Sequence, residues 1–125
     1  MKHHHVGLYV TNLAKSAQFY EYYFEFKPVK RLTLLGEEII FIARERVIIE
    51  LIQSEEQQGP FHHTFHFALE VSNLDKWIQN LTSKGLEIAE GPYDLETGWK
   101  IAFYQALDGE VIELIERFDQ DRFDK

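Results

Sequence analysis

HVGLYVTNL (residues 5–13) returns as HFALEVSNL (residues 66–74), each copy opening on a histidine and closing on Asn-Leu. In the first copy His5, Gly7 and Tyr9 alternate with Val6, Leu8 and Val10, the period of a strand with two unlike faces. In the second, Phe65, Phe67, Leu69 and Val71 alternate with Thr64, His66, Ala68 and Glu70. The apolar sets are expected to pack on helices, which leaves both histidines on the opposite faces.

Helix starts follow directly. Thr11 and Asn12 precede LAKSAQFYEYYF, and Ser72 and Asn73 precede LDKWIQNLTSKG, all residues whose side chains bond free helix amides. Leu74, Trp77, Ile78 and Leu81 fall at i, i+3, i+4 and i+7 and make one apolar stripe, with Gly85 suited to the exit. The first stripe is bulkier: Leu13, Phe19 or Tyr20, Tyr23 and Phe24. Beyond each helix come three strand-like runs, KPVKRLTLL, EEIIFIAR and RVIIELIQ, then LEIAEGPY, WKIAFYQA and EVIELIER. Hairpin turns are expected at Leu35-Gly36-Glu37, Ala43-Arg44-Glu45 and Leu107-Asp108-Gly109, the last carrying the strongest turn chemistry. Each half thus reads strand, helix, three strands. An internal repeat over residues 5–60 and 61–118 within a single domain, 1–125, is the expected organisation.

Composition agrees with a folded domain and narrows its chemistry. Of 125 residues 45% are apolar and 14% aromatic, enough for a core. A formal charge of −8 without a basic stripe argues against nucleic acid as a partner. With no cysteine, disulfides, thiolate metal sites and cysteine nucleophiles are excluded. No apolar run approaches the roughly 20 residues of a membrane span, and MKHHHVGLYV lacks the features of a signal peptide, so a cytoplasmic location is expected.

The last strands of the two halves also match: Glu50-Leu51-Ile52 corresponds to Glu113-Leu114-Ile115. A carboxylate within so apolar a strand costs several kcal/mol when dry and unpaired. It needs a partner, water or a cation. Taken singly, each candidate has an ordinary explanation: His5 as part of a solvated histidine run, His66 as a satisfied core histidine, the glutamates as edge-strand residues. Taken together at matched positions, His5, Glu50, His66 and Glu113 offer two imidazole nitrogens and two carboxylates, a set suited to Ni, Zn, Co, Mn or Fe as a divalent ion. His3 shares the face of His5, and His62 that of His66, whereas His4 and His63 are expected on the opposite faces. The Leu-x-Val-x-Asn-Leu spacing favours His5 and His66.

HVGLYVTNLAKSAQFYEYYFEFKPV, IIELIQ, HFALEV and DGEVIELIE resemble the vicinal oxygen chelate superfamily, the glyoxalase, bleomycin-resistance and dioxygenase proteins, from about His5 to Glu116. The resemblance implies an α+β fold of two βαβββ modules forming a curled mixed sheet, commonly with a site at a homodimer interface. A His, Glu, His, Glu order looks most like glyoxalase I, lactoylglutathione lyase. That likeness implies His5, Glu50, His66 and Glu113 as metal ligands, and Glu113, with Glu50 as its counterpart, as catalytic residues that move a proton. The implied reaction converts the hemithioacetal of a 2-oxoaldehyde and a thiol into a thioester through an enediolate.

The chain departs from that pattern at Lys15, where glyoxalase-like sequences often carry Arg, and it shows no matched set of basic residues for glutathione's carboxylates. Tyr93, Trp99 and Lys100 are candidates for the mouth of a pocket, with core or dimer contact as their other use. Another superfamily metalloenzyme, a dioxygenase or thiol transferase, and a non-catalytic small-molecule-binding resistance protein are the competing readings. Glu50 argues against the last, because an apolar cup does not favour a carboxylate. The tail RFDQDRFDK is either solvated or packs Phe118 and Phe123 on a neighbour.

Overall fold

A computed structural model describes residues 1–54 and 65–118. They divide into two compact units, one of residues 1–54 with 107–109, the other of residues 65–106 with 110–118. Each is an α+β module built on a four-stranded mixed sheet.

The first unit runs β1 (Val6–Tyr9), α1 (Leu13–Phe24), β2 (Lys27–Leu34), β3 (Glu37–Arg44) and β4 (Val47–Ser54). Its sheet order is β1-β4-β3-β2, with β1 parallel to β4 and the other pairs antiparallel. The parallel pair requires a long crossover, which α1 and the β2–β3 hairpin supply. Leu8, Val10, Ile40, Ile42, Ile49 and Leu51 form the buried layer together with Leu13, Ala17, Phe19, Tyr20 and Phe24 of α1. Ser16 and Ala17, both buried, are the small residues of that helix face. Rings of Phe19, Tyr20, Phe24 and Phe26 meet at 5.3–6.3 Å between centroids.

The second unit repeats the plan with β5 (His66–Glu70), α2 (Leu74–Ser83), β6 (Glu90–Asp94), β7 (Trp99–Gln105) and β8 (Val111–Arg117), in the order β5-β8-β7-β6. Leu74 and Leu81 of α2, with Ala102, Tyr104, Ile112 and Leu114 of the sheet, are its buried apolar side chains. The pairing β5–β8 is again parallel. Both edge strands that follow a helix, β2 and β6, carry a register irregularity beside a proline, Pro28 and Pro92. Proline and bulges at an edge discourage pairing with a further strand.

The helix starts are built identically. Asn12 Oδ1 accepts from the Lys15 amide at 3.0 Å, and Asn73 Oδ1 from the Lys76 amide at 3.1 Å. A second free amide in each first turn is taken by a side chain from the last strand: Gln53 Oε1 accepts from Leu13 at 2.7 Å, and Glu116 Oε1 from Leu74 at 3.0 Å. Gln53 and Glu116 each stand three residues past the glutamate of the repeat, Glu50 or Glu113.

Three boundaries differ from the sequence reading. The turn after β3 is Glu45–Arg46, one residue later than expected, with Glu45 in the left-handed region at φ 55°. Leu35 and Gly36 make a two-residue turn, both at positive φ. The run LEIAEGPY is a strand only from Glu90 onward.

Candidate metal-binding faces

The pairing register places the candidate residues. Gly7 stands opposite Glu50 on β1 and β4, and Ala68 stands opposite Glu113 on β5 and β8. On the other side of each glutamate lies a phenylalanine, Phe41 on β3 and Phe103 on β7. The repeat therefore extends to the neighbours: each carboxylate sits between a small residue and an aromatic one. The aromatic flanks were legible only by aligning β3 with β7 inside the repeat.

Each histidine reaches the glutamate of its own half. His5 Nε2 lies 3.2 Å from Glu50 Oε1, and His66 Nε2 lies 3.9 Å from Glu113 Oε1. The glutamate side chains are mostly shielded, at 19% and 16% exposure, whereas His5 is 31% exposed and His66 62%. His5 packs edge-on against Phe41 with centroids 5.2 Å apart. The donor separations within each pair can be set beside those of two ligands on one ion. Ligand atoms about 2.1 Å from a tetrahedral ion lie about 3.4 Å apart, and 3.2 and 3.9 Å fall on either side of that value. Among the described residues no group of three or more His, Asp or Glu side chains forms a ready-made metal cluster.

His4 does not take the opposite face expected for it. The strand begins only at Val6, so alternation does not govern residue 4. Its Nδ1 lies 2.7 Å from His5 Nδ1, with the rings edge to face. His62 and His63 lie outside the described residues, as does Phe123. Phe118 is exposed.

Further polar groups share these faces. Tyr9, two residues past Gly7, donates its hydroxyl to Glu37 Oε2 at 2.8 Å. That hydrogen bond, then desolvation and the negative charges of Glu37 and Glu50, hold the Tyr9 phenol above its ordinary pKa. In the second unit Arg117 Nε lies 3.2 Å from Glu70 Oε2. Trp99 is half-buried and lies opposite Arg117 in the β7–β8 register. Tyr93 is exposed. Lys100 is engaged elsewhere: its ammonium donates to Asp75 of α2 at 2.6 Å, and that bond raises its pKa. A groove of about 290 Å³ lined by Leu13, Arg31, Thr33, Glu38 and Ile40 contains none of the four candidate ligands.

Comparison with known proteins agrees with this architecture. A glyoxalase, bleomycin resistance protein and dioxygenase family model matches residues 2–114. Against curated protein sequences the chain has no significant match. Among solved structures, a glyoxylase/bleomycin resistance protein/dioxygenase domain from a Frankia species is 18% identical with a TM-score of 0.80, over 94% of this chain and 98% of that one. TnmS3, an antibiotic-binding protein from a Streptomyces species, is 17% identical with a TM-score of 0.77, over 94% and 97%. A variant of the fosfomycin resistance protein FosX from Listeria monocytogenes, complexed with Mn(II) and 1S,2S-dihydroxypropylphosphonic acid, is 15% identical with a TM-score of 0.77, over 97% and 95%. Identities this low speak to the fold alone, and the family match carries the assignment. The chain belongs to the glyoxalase/bleomycin resistance protein/dioxygenase superfamily.

Proposed function

We propose that the chain is a divalent-metal-dependent lyase or isomerase of glyoxalase I type, with His5, Glu50, His66 and Glu113 as the metal ligands. The observation that carries this reading is the matched register. A histidine and a glutamate face one another at 3.2 Å in one half and 3.9 Å in the other, at corresponding positions of two strands. An unselected surface has no reason to repeat such a pair.

A bound cation would supply Lewis acidity, which would make a carbon acid beside a carbonyl strong enough to yield its proton to a carboxylate. The protein's own groups do the rest. Glu113, shielded between Ala68 and Phe103, takes the proton from the thiol-bearing carbon of the hemithioacetal and returns it to the adjacent carbon. The substrate passes through an enediolate, and the product thioester has the same atoms, so no further reactant is consumed. Glu50, in the equivalent place between Gly7 and Phe41, is its candidate counterpart. Phe41, Phe103 and the half-buried Ile48, Ile52, Ile101 and Ile115 keep water from the reacting carbons. The active form is a homodimer with a small-molecule substrate.

Metal analysis of protein purified without chelators is the first test. About one divalent ion per site, together with thioester formation from methylglyoxal and a thiol, supports the reading. Metal-free protein that stays inactive with every divalent ion and thiol offered refutes it. Sedimentation showing only a 14.8 kDa species at micromolar concentration argues against the dimer.

A second reading rests on the apolar cast of these same faces: a module that sequesters a hydrophobic compound. It requires no metal, so tight binding of an aromatic ligand by metal-free protein separates it from the first.

A further inference from the structure

The two half-sites are copies in sequence and unequal in build. The first has its donors 3.2 Å apart and its histidine 31% exposed; in the second the values are 3.9 Å and 62%. Two positions beside these donors differ between the repeats. At the position before the histidine the first copy has His4 and the second Phe65. Opposite the glutamate the first copy has Gly7 and the second Ala68.

Both differences act on ligand placement. The Nδ1 atoms of His4 and His5 are 2.7 Å apart, so one ring donates to the other. When His5 Nδ1–H is the donor, the proton is withdrawn from Nε2, the atom aimed at Glu50, and its lone pair is open to a cation. Ligating histidines are characteristically held this way by a bond at the other ring nitrogen. Phe65 provides no such acceptor. Gly7 acts sterically: a Cβ there would lie 3.2 Å from Glu50 Oε1 and 3.6 Å from Ile52 Cδ1. The carboxylate occupies the space that a methyl group takes up at Ala68. Gly7 has no positive φ, so its value at this place is room rather than backbone freedom.

We infer that His4 and Gly7 are positioning residues that preorganise the His5–Glu50 pair, making the first repeat the tighter anchor for a divalent cation. This rests on the metal-binding reading above and adds a hierarchy to it. Preorganised ligands lose less freedom when the ion arrives, so they contribute more to affinity than the same groups held loosely.

The test is calorimetric titration of the full-length apoprotein with Ni(II) and with Mn(II). His4→Phe, which installs the side chain of Phe65 in the first repeat, and Gly7→Ala, which installs that of Ala68, are each expected to weaken binding roughly tenfold, the low end for an outer-shell partner. His4→Gln keeps an acceptor and is expected to restore most of the loss. Ala68→Gly is expected not to weaken binding. Wild-type affinity in both His4→Phe and Gly7→Ala overturns the inference, as does an equal loss in Ala68→Gly. A metal-independent readout separates this from failure of the underlying reading. Long-range proton–nitrogen NMR of metal-free protein is expected to show His5 Nδ1 engaged in a hydrogen bond in the wild type and not in His4→Phe. If wild-type protein binds no divalent ion but this hydrogen-bond pattern is present, the cation reading falls and the positioning role of His4 stands. If the pattern is absent, the role of His4 falls whatever the metal result.

Discussion

Raising the pH should destabilise this protein through one buried phenol. Tyr104 lies on β7, fully buried, and burial pushes its pKa up to about 12 from the ordinary 10.0. In the unfolded chain the phenol ionises near pH 10, whereas in the folded chain it keeps its proton until about 12. The folded state therefore binds more protons across that window, and stability falls as pH rises through it. About two pKa steps at 1.36 kcal/mol each give a loss of up to about 2.7 kcal/mol by pH 12. With an unfolding entropy near 2.1 cal/mol/K per residue, each kcal/mol is worth about 4 °C in a chain of this length, so the loss corresponds to roughly 10 °C in Tm. The assay is thermal unfolding at pH 9, 10, 11 and 12 on wild type and Tyr104→Phe. Other groups titrate in both proteins and cancel in the difference. The wild type is expected to lose about 10 °C more than the variant between pH 9 and 12. Parallel curves would show that Tyr104 ionises as readily in the fold as out of it, and would refute the reasoning.

Three further outcomes are expected. On the proposed function, Glu50→Gln and Glu113→Gln would each remove an anionic ligand and a base, so metal affinity should fall by more than tenfold and thioester formation by more than a hundredfold; calorimetry and a thioester absorbance assay check both. Gln53→Ala and Glu116→Ala each strip a helix-start amide of its side-chain acceptor, at a cost of about 1 kcal/mol or about 4 °C in Tm by thermal unfolding, whereas changes at exposed Gln79 should fall within about 0.5 kcal/mol. Glu37→Gln removes the first cause of the raised Tyr9 pKa, so ultraviolet titration of tyrosinate should show one phenol ionising at lower pH than in the wild type.

Much of this was readable from residue order because the local signals agree with the tertiary structure. Helix α1 spans the expected LAKSAQFYEYYF, and Asn12 and Asn73 cap as their chemistry suggests. Gly85, at φ 97°, forms the exit of α2. The mismatches occur where long-range packing overrides the local signal. Glu25 leaves α1 in the left-handed region at φ 62° although it is no glycine, and burial of the next residue, Phe26, offsets that conformation. Glu45 turns the β3–β4 hairpin in the same region, with the turn one residue beyond the expected Ala43-Arg44-Glu45. Asp108-Gly109 is not a bare hairpin tip: Asp108 is buried and accepts from the backbone and hydroxyl of Thr11. At the candidate site, spacing alone singled out the four candidate ligands by their matched places. It did not reveal which ring nitrogen faces a carboxylate, nor that His4 turns toward His5, since these depend on rotamers outside a regular strand.

The clasp between the last strand of each half and the start of its helix bears on how such a chain can change. Glu50 and Gln53 lie three residues apart on one strand, as do Glu113 and Glu116, yet one of each pair is a candidate ligand and the other tethers a helix. A crossover that exchanges genetic material within either short segment separates the two duties and leaves a hybrid with an untethered helix or a missing carboxylate. Exchange between whole halves keeps them linked, so shuffling at the seam is the route by which descendants can trade reactivity without forfeiting the scaffold.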